Sequence, residues 1–483
     1  MQDIKLSNGT FIPIEFHKAR IVQKVQLLPL EERVSAMNNA GFNTFLLNSK
    51  DVFLDMLTDS GTNAMSDIQL SAMMLSDDAY AGSASFEKLV TVIQDVFGAE
   101  FVLPVHQGRA AEHIIAQTFV KKGDFVPMNY HFTTTRAHIE LAGGTVLELF
   151  TDEALKLHSD IPFKGNMDLD KLRATIKKHG REKISFIRME ASTNLIGGQP
   201  FSLSNLREVK KIAQENGLLL VLDASLIGEN AFFIHERETD CSNMSIRDIL
   251  REMVSTADLT YFSGRKVSST RGGAILTNIR ELFMKMRDLV PLFEGFLTYG
   301  GMSMKEIEAM AVGLLETTDE SVISQSPQFI RFVVNELDKF HIPVVTPAGA
   351  LGVHIDAKTF LSHISQEEFP AGALATALFI VSGIRGMERG TISTDRDKET
   401  GAQILADVEL LRLAVPRRVF TLSHMEFLID RVKWLHENRN LIGGLRFVEE
   451  PPVLRFFTGR LEPTSNWVDK LSAKFQHDFG TSL

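Results

Sequence analysis

Five features along the middle of the chain have residue types that could do chemistry together: Gln107-Gly108-Arg109, Phe132, Asn194, Asp223 and Lys266. A helix start with an arginine suits a phosphate, and an aromatic ring suits stacking on a pyridine. An aspartate suits a pyridinium nitrogen, and a lysine suits a Schiff base with an aldehyde. On position alone Lys266 reads as an exposed loop lysine, because most lysines lie at the surface. As a set, the residues describe one cofactor, pyridoxal 5'-phosphate. Lys266 would hold it, and the amine freed by an incoming amino acid could remove the Cα proton. Asp223 would keep the ring nitrogen protonated through a charge-assisted hydrogen bond, so that the ring can accept the electron pair.

Such residues must be positioned by strands and helices, and the pattern supplies them. From Phe101 the chain alternates short apolar runs with helical periodicity: Phe101-Val-Leu-Pro-Val105, the polar turn His106-Gln-Gly-Arg109, then a helix from Ala110. The unit recurs where Leu206, Val209, Ile212 and Ala213 mark one helical face, Gly217 stops the helix, and Leu218-Leu-Leu-Val-Leu222 forms a buried strand ending at Asp223. Ile184–Met189, Leu259–Phe262 and Gly273–Leu276 read as further strands, so an α/β architecture with a mostly parallel sheet is expected. Beyond about residue 320 the helical patterns lengthen, and Ile342-Pro-Val-Val-Thr-Pro347 and Val415-Pro-Arg-Arg418 punctuate a smaller α+β region. Open α/β sheets bind ligands beyond the carboxyl ends of their strands, where Asp223 and the Ser263-Gly-Arg-Lys266 turn fall.

Composition narrows the partner classes. The 483 residues are 44% hydrophobic and 23% charged, as in folded globular proteins. The net charge of −10, with no basic block interleaved with aromatics, disfavours nucleic acid and favours a small molecule. The uncharged run Ala371–Gly383 is well short of the ~18 residues that span a bilayer. The N-terminus has no basic leader or apolar stretch, and the single cysteine, Cys241, suits a reducing compartment, so a cytoplasmic location is expected.

Longer stretches carry a resemblance. Leu57-Thr-Asp-Ser-Gly-Thr-Asn-Ala-Met-Ser-Asp67, Asp78-Ala-Tyr-Ala-Gly-Ser83, His106-Gln-Gly-Arg109, Phe132-Thr-Thr-Thr-Arg136 and Asn194-Leu-Ile-Gly-Gly-Gln-Pro200 are followed by Ser263-Gly-Arg-Lys266, Met387-Glu-Arg-Gly390, Leu413-Ala-Val-Pro-Arg-Arg418 and Leu454-Arg-Phe-Phe-Thr458. In this order they resemble, along nearly the whole chain, the β-eliminating lyase family of tyrosine phenol-lyase and tryptophanase, with tyrosine phenol-lyase the nearer of the two. The resemblance implies fold type I of the pyridoxal phosphate enzymes, with 1–65 as an N-terminal arm and part of the small domain, 66–320 as the cofactor domain and 321–483 as the rest of the small domain. It also implies a homotetramer. Gln107, Gly108, Arg109 and Ser263 would hold the phosphate, Phe132 would stack on the ring and Asn194 would contact its phenolic oxygen. Arg412, with Thr58, Ser60 and Asn194, would bind the substrate, the arginine gripping its carboxylate. Tyr80, one of only four tyrosines, would deliver a proton to the leaving group. The implied reaction releases pyruvate and ammonia.

The pocket departs from that pattern. Thr133 and Arg389 match the residues that address a phenol hydroxyl, and Phe45, Phe456 and Phe457 match an aromatic wall, although 34 phenylalanines make a core role the default for any one of them. Both named enzymes, however, carry an arginine three residues after the ring-binding aspartate, where this chain has Leu226. An unpaired polar leaving group there would cost ~1–3 kcal/mol, so a different β-substituted alanine is expected, such as an altered aromatic amino acid or a cysteine conjugate. At the family's monovalent cation site Gly61 matches, while Asp78 and Arg271 replace a glutamate and an asparagine, which implies weak or absent potassium dependence. Arg265 replaces a lysine beside Lys266. Two other readings stand beside elimination: transamination, retro-aldol cleavage or β-substitution on the same cofactor, and cofactor binding without turnover.

Overall fold

The computed structural model describes residues 4–397, 399–452 and 454–480. The chain divides into two compact units. The first comprises Ser60–Ala154 and Ile161–Pro327, and the second takes the residues before and after them together with Leu155–Asp160.

The first unit is built on a seven-stranded sheet. Its strands are β1 (Phe101–Val105), β2 (Phe125–Met128), β3 (Thr145–Glu148), β4 (Ile187–Glu190), β5 (Leu220–Asp223), β6 (Leu259–Ser263) and β7 (Gly273–Thr277), in the spatial order β1-β7-β6-β5-β4-β2-β3. Only β7 runs against its neighbours. Helices follow the strands: α1 (Gly108–Phe119), α2 (Thr133–Leu141), α3 (Leu203–Glu215) and α4 (Ile227–Arg237). A sheet covered on both faces needs apolar residues on both, which accounts for runs such as Leu220-Val-Leu222, all buried. α3 shows the local logic. Ser202 caps it by accepting from the Asn205 N–H at 3.1 Å, Leu206, Val209, Ile212 and Ala213 are fully buried, and Gly217, at φ +61°, turns the chain back toward β5.

Two elements differ from the sequence expectation. α1 begins at Gly108 rather than Ala110, and β4 is shifted toward its C-terminus, ending at Glu190. The second shift matters because β4 carries two charged residues in a buried strand, a combination that apolar patterning does not anticipate.

The second unit is α+β. β8 (Gly352–Asp356), β9 (Met387–Arg389) and β10 (Leu410–Ala414) form an antiparallel sheet in the order β8-β10-β9. Helix α5 (Pro370–Ser382) crosses its core, and every one of its residues is buried. This is the uncharged run seen in the sequence, and a helix apolar on all sides belongs inside a core. Parallel pairing of Leu54–Asp55 with Ile384–Arg385 fastens the N-terminal segment into the same unit. Among the described residues no helix is long and apolar enough to cross a membrane.

Candidate active site

In the first unit the expected cofactor residues gather at the carboxyl ends of the parallel strands. Gln107 and Gly108 join β1 to α1, Phe132 immediately precedes α2, Asn194 opens a single turn after β4, Asp223 ends β5, and Ser263 ends β6. Lys266 sits in the turn Gly264–Val267, with Nζ 5.2 Å from the centroid of the Phe132 ring. Gly108 has a steric reason to be glycine. A Cβ there would stand 2.9 Å from the Ser263 Cβ and 3.3 Å from its backbone nitrogen. The start of α1 and Ser263 thus form a tight cradle of the kind that a phosphate occupies at a helix N-terminus. Arg109 is exposed, Thr133 is partly buried as the first residue of α2, and Leu226 is 4% exposed immediately before α4. A buried carboxylate, an aromatic ring beside a lysine, and an anion cradle fit the donor set that pyridoxal phosphate requires.

Strand register explains what surrounds Asp223. Glu190 pairs with Asp223 across β4 and β5, and Asp223 pairs with Tyr261 across β5 and β6. Paired residues share a sheet face, and Arg188 shares it with Glu190 by the two-residue period. The side chains meet accordingly. Arg188 donates to Asp223 Oδ2 at 2.6 Å, to Glu190 Oε2 at 3.2 and 3.3 Å, and to the Tyr261 hydroxyl at 3.0 Å. The Tyr261 hydroxyl donates to the same Asp223 oxygen at 3.0 Å, while Asp223 Oδ1 accepts from the Ser225 N–H at 3.0 Å. Glu190 Oε1 accepts from the backbone N–H of Asn194 at 3.0 Å. Burial lowers the affinity of Arg188 for its proton, but its electrostatic interactions with Tyr261, Asp223, Glu190 and Glu112 outweigh it and hold the guanidinium well above its ordinary range. Burial, with the charge of Asp223, pushes the Glu112 carboxyl on α1 up to about 7, although Thr134 and Thr135 both donate to it at 2.6 Å. Arg188, Glu190, Tyr261 and Glu112 escape residue-by-residue sequence reading. For Arg188 and Glu190 the signal that could have found them is an Arg-x-Glu pair, with Met189 between, directly after the apolar Phe186-Ile187.

Of the residues expected to meet substrate, the second unit holds Arg412, Thr58, Arg389, Phe45, Phe456 and Phe457. Arg412 on β10 lies across from His354 on β8 and Met387 on β9, and its Nη2 donates to the Leu57 carbonyl at 2.9 Å. Thr58 and the buried Asp59 follow directly in the chain. Burial pushes the Arg412 guanidinium down to about 10; the charge of Asp59 opposes this and that of Arg389 adds to it. Arg389, 5% exposed on β9, has a nitrogen 3.6 Å from Asp407 Oδ1. Phe45, Phe456 and Phe457 form one aromatic cluster, with ring centroids 5.4, 5.2 and 4.0 Å apart.

Tyr80 is 68% exposed, with its ring stacked 5.4 Å from Phe296 and edge-on to Tyr299. At the expected cation site, Gly61 donates its N–H to the Arg265 carbonyl at 3.2 Å, and the Arg265 guanidinium is the group that a Cβ at Gly61 would meet, at 3.1 Å. Asp78 and Arg271 are exposed. Ser60 and Gly61 open the first unit.

The family described as beta-eliminating lyase matches residues 55–431. Tyrosine phenol-lyases from Symbiobacterium sp. (strain SC-1) and Pasteurella multocida (strain Pm70) are each 44% identical to this chain over 93% of its length and 99% of theirs. Among solved structures, the Sphingomonas wittichii serine palmitoyltransferase superposes with a TM-score of 0.56 at 14% identity, covering 80% of this chain and 88% of that one. The Leishmania major threonine aldolase superposes with a TM-score of 0.56 at 12% identity, covering 79% and 99%. At such identity the two structures speak to the fold alone, which is α/β of fold type I.

Proposed function

From the premise that this chain belongs to the β-eliminating lyase family and is a pyridoxal phosphate-dependent lyase, we propose how its residues divide the elimination and which substrates they take. The first unit serves as the cofactor domain and the second grips the substrate. Bound pyridoxal phosphate supplies an aldehyde that captures amines and a ring that withdraws electrons. Gly108, Gln107, Arg109 and Ser263 hold its phosphate, Phe132 packs on its ring, Asn194 meets its phenolic oxygen, and Asp223 holds the proton at its ring nitrogen. Lys266 carries the cofactor, and its Nζ takes the Cα proton once an amino acid has displaced it. Arg412, assisted by Thr58 and Ser60, binds the substrate carboxylate as a two-pronged donor. Tyr80 protonates the departing group. The observation that carries this reading is the convergence of Lys266, Phe132 and Asp223 at the carboxyl ends of adjoining parallel elements.

The substrate is a β-substituted L-amino acid whose leaving group differs from phenol. Leu226 offers no donor, while Thr133, Arg389, Phe45, Phe456 and Phe457 match the family residues that meet a polar aromatic leaving group. Purified, cofactor-loaded protein is to be incubated with tyrosine, tryptophan, S-substituted cysteines and serine while pyruvate is measured. Pyruvate from one member with little phenol from tyrosine is expected. Rapid phenol release would overturn the altered pocket, and a keto acid that keeps the whole side chain would overturn elimination.

The site at Gly61, Asp78 and Arg271 needs no potassium in this reading, supported by the Arg265 guanidinium packed at Gly61. Activity in potassium and in a bulky organic cation should therefore agree, and a large potassium stimulation would refute it. A homotetramer in the cytoplasm is proposed with the family. Exposed Met74, Leu75, Leu141 and Leu292 are apolar surface of the kind that subunit contacts cover, and light scattering of the eluted protein measures the mass.

A further inference from the structure

The buried group behind Asp223 goes beyond the set that binds the cofactor directly. We propose that Arg188 is a positioning residue for the cofactor ring, fixing Asp223 directly and Asn194 through Glu190, so that one guanidinium sets both polar contacts of the ring. This rests on the reading of Asp223 and Asn194 as the ring's partners.

Geometry carries it. Arg188 is 1% exposed, on the inner part of β4, and reaches Asp223 at 2.6 Å. The Tyr261 hydroxyl accepts from Arg188 and donates to the same carboxylate oxygen, both at 3.0 Å, which requires a neutral phenol. Burial, reinforced by Asp223 and Glu112 against the pull of Arg188, raises the Tyr261 phenol well above its ordinary range, so the proton is present. Asp223 is therefore held by three donors: a guanidinium and a phenol on Oδ2 and the Ser225 N–H on Oδ1. A carboxylate so fixed cannot rotate to follow a ring and must be met by one. On its other side Arg188 holds Glu190, whose second oxygen takes the Asn194 N–H at 3.0 Å and so fixes the turn that starts at Asn194. Burial raises the Glu190 carboxyl's affinity for a proton, with the charge of Arg188 opposing it, so Asp223 is the carboxylate this group presents to a cationic ring nitrogen. A chain concerned only with stability would gain little here, since buried ion pairs are often no better than apolar packing of the same volume.

The test uses full-length protein, freed of cofactor and reloaded. Dissociation constants for pyridoxal phosphate and melting temperatures of empty and loaded protein are to be measured for the parent, Tyr261→Phe, Arg188→Lys, Arg188→Met and Asp223→Asn. Tyr261→Phe deletes one hydrogen bond and no charge, and should weaken cofactor binding about tenfold. Arg188→Met should weaken it about 100-fold or more, with Arg188→Lys between. In each the gain in melting temperature on loading should shrink, whereas a purely structural role would lower empty and loaded protein equally. If Arg188→Met does not fold, Tyr261→Phe and Arg188→Lys decide the matter. Parent-like affinity and loading gain in those two, with Asp223→Asn impaired, would overturn the role of Arg188 alone. Parent-like affinity in Asp223→Asn would overturn the reading of Asp223 itself.

Discussion

Two buried arginines, one in each unit, meet opposite conditions. Arg188 in the first unit is surrounded by Asp223, Glu190 and the Tyr261 hydroxyl, and its guanidinium is held well above its ordinary range despite complete burial. Arg412 in the second unit donates to a backbone carbonyl, lies beside the Met387 sulfur at 2.6 Å, and is pushed down to about 10 by burial, with the charge of Asp59 opposing the shift and that of Arg389 adding to it. Around the first cation the nearby acidic groups outweigh the cost of burial, whereas around the second burial outweighs Asp59, so a carboxylate arriving there would steady the charge further.

The harshest way to test this contrast is to remove the residue that neither arginine can replace. Lys266→Ala should lower pyruvate release by about 10³-fold or more, because the covalent attachment and the base at Cα both go. Arg188 and Arg412 would keep their surroundings, so substrate should still raise the melting temperature of the loaded variant. Loss of that rise would mean that gripping the carboxylate depends on Lys266 as well.

Exchanging the arginines sharpens it further. Arg188→Met leaves Asp223 and Glu190 buried without their cation and should destabilise the empty protein by about 3–5 kcal/mol. Arg412→Met removes a cation that burial already disfavours and should cost the empty protein less, while raising KM for the amino acid about 100-fold. Denaturant unfolding and steady-state kinetics on both variants check the pair, and equal destabilisation would break the comparison.

A buried acid gives the next effect. Glu112 has its carboxyl raised from an ordinary 4.5 to about 7 by burial, with Asp223 adding to the shift. An acid raised by folding contributes stability that is whole below its unfolded value and is lost as pH rises through its folded one. The first unit should therefore lose about 3 kcal/mol between pH 4.5 and 8 from this group. Glu112→Gln, which keeps the size and can still bond Thr134 and Thr135, should flatten that slope in melts recorded across the range. In the second unit Glu388 is likewise pushed up to about 7, by burial and then by Glu409, so Glu388→Gln should act in the same direction.

Much of this was legible in the sequence, and the illegible part has a common cause. The strand ends that carry Asp223 and Ser263, the helix stop at Gly217 and the apolar run that became α5 follow from local period and turn chemistry. Lys266 and Phe132 needed only their residue types and order. Arg188, Glu190 and Tyr261 could not be read this way, because their partnership is set by register between β4, β5 and β6, and register is not local. The exposure of Tyr80 and the packing of Arg265 at Gly61 are likewise products of tertiary placement.

The smallest expected effect concerns whether Asp223 tolerates a second guanidinium. Leu226 lies three residues beyond Asp223 and immediately before α4, where the family resemblance expects an arginine. Leu226→Arg should give a phenolic leaving group the donor it lacks and raise kcat/KM for phenol release from tyrosine about tenfold. It also adds a cation at a helix N-terminus, which disfavours positive charge by about 0.5 kcal/mol, close to a carboxylate that Arg188 already occupies. If Asp223 has room for one guanidinium, the change should be easier to bear once Arg188 is gone. Leu226→Arg with Arg188→Met should then be more stable than the sum of the single changes by about 1 kcal/mol. Strict additivity would mean that positions 188 and 226 serve Asp223 independently, and that the interior arginine does not stand in for the missing one.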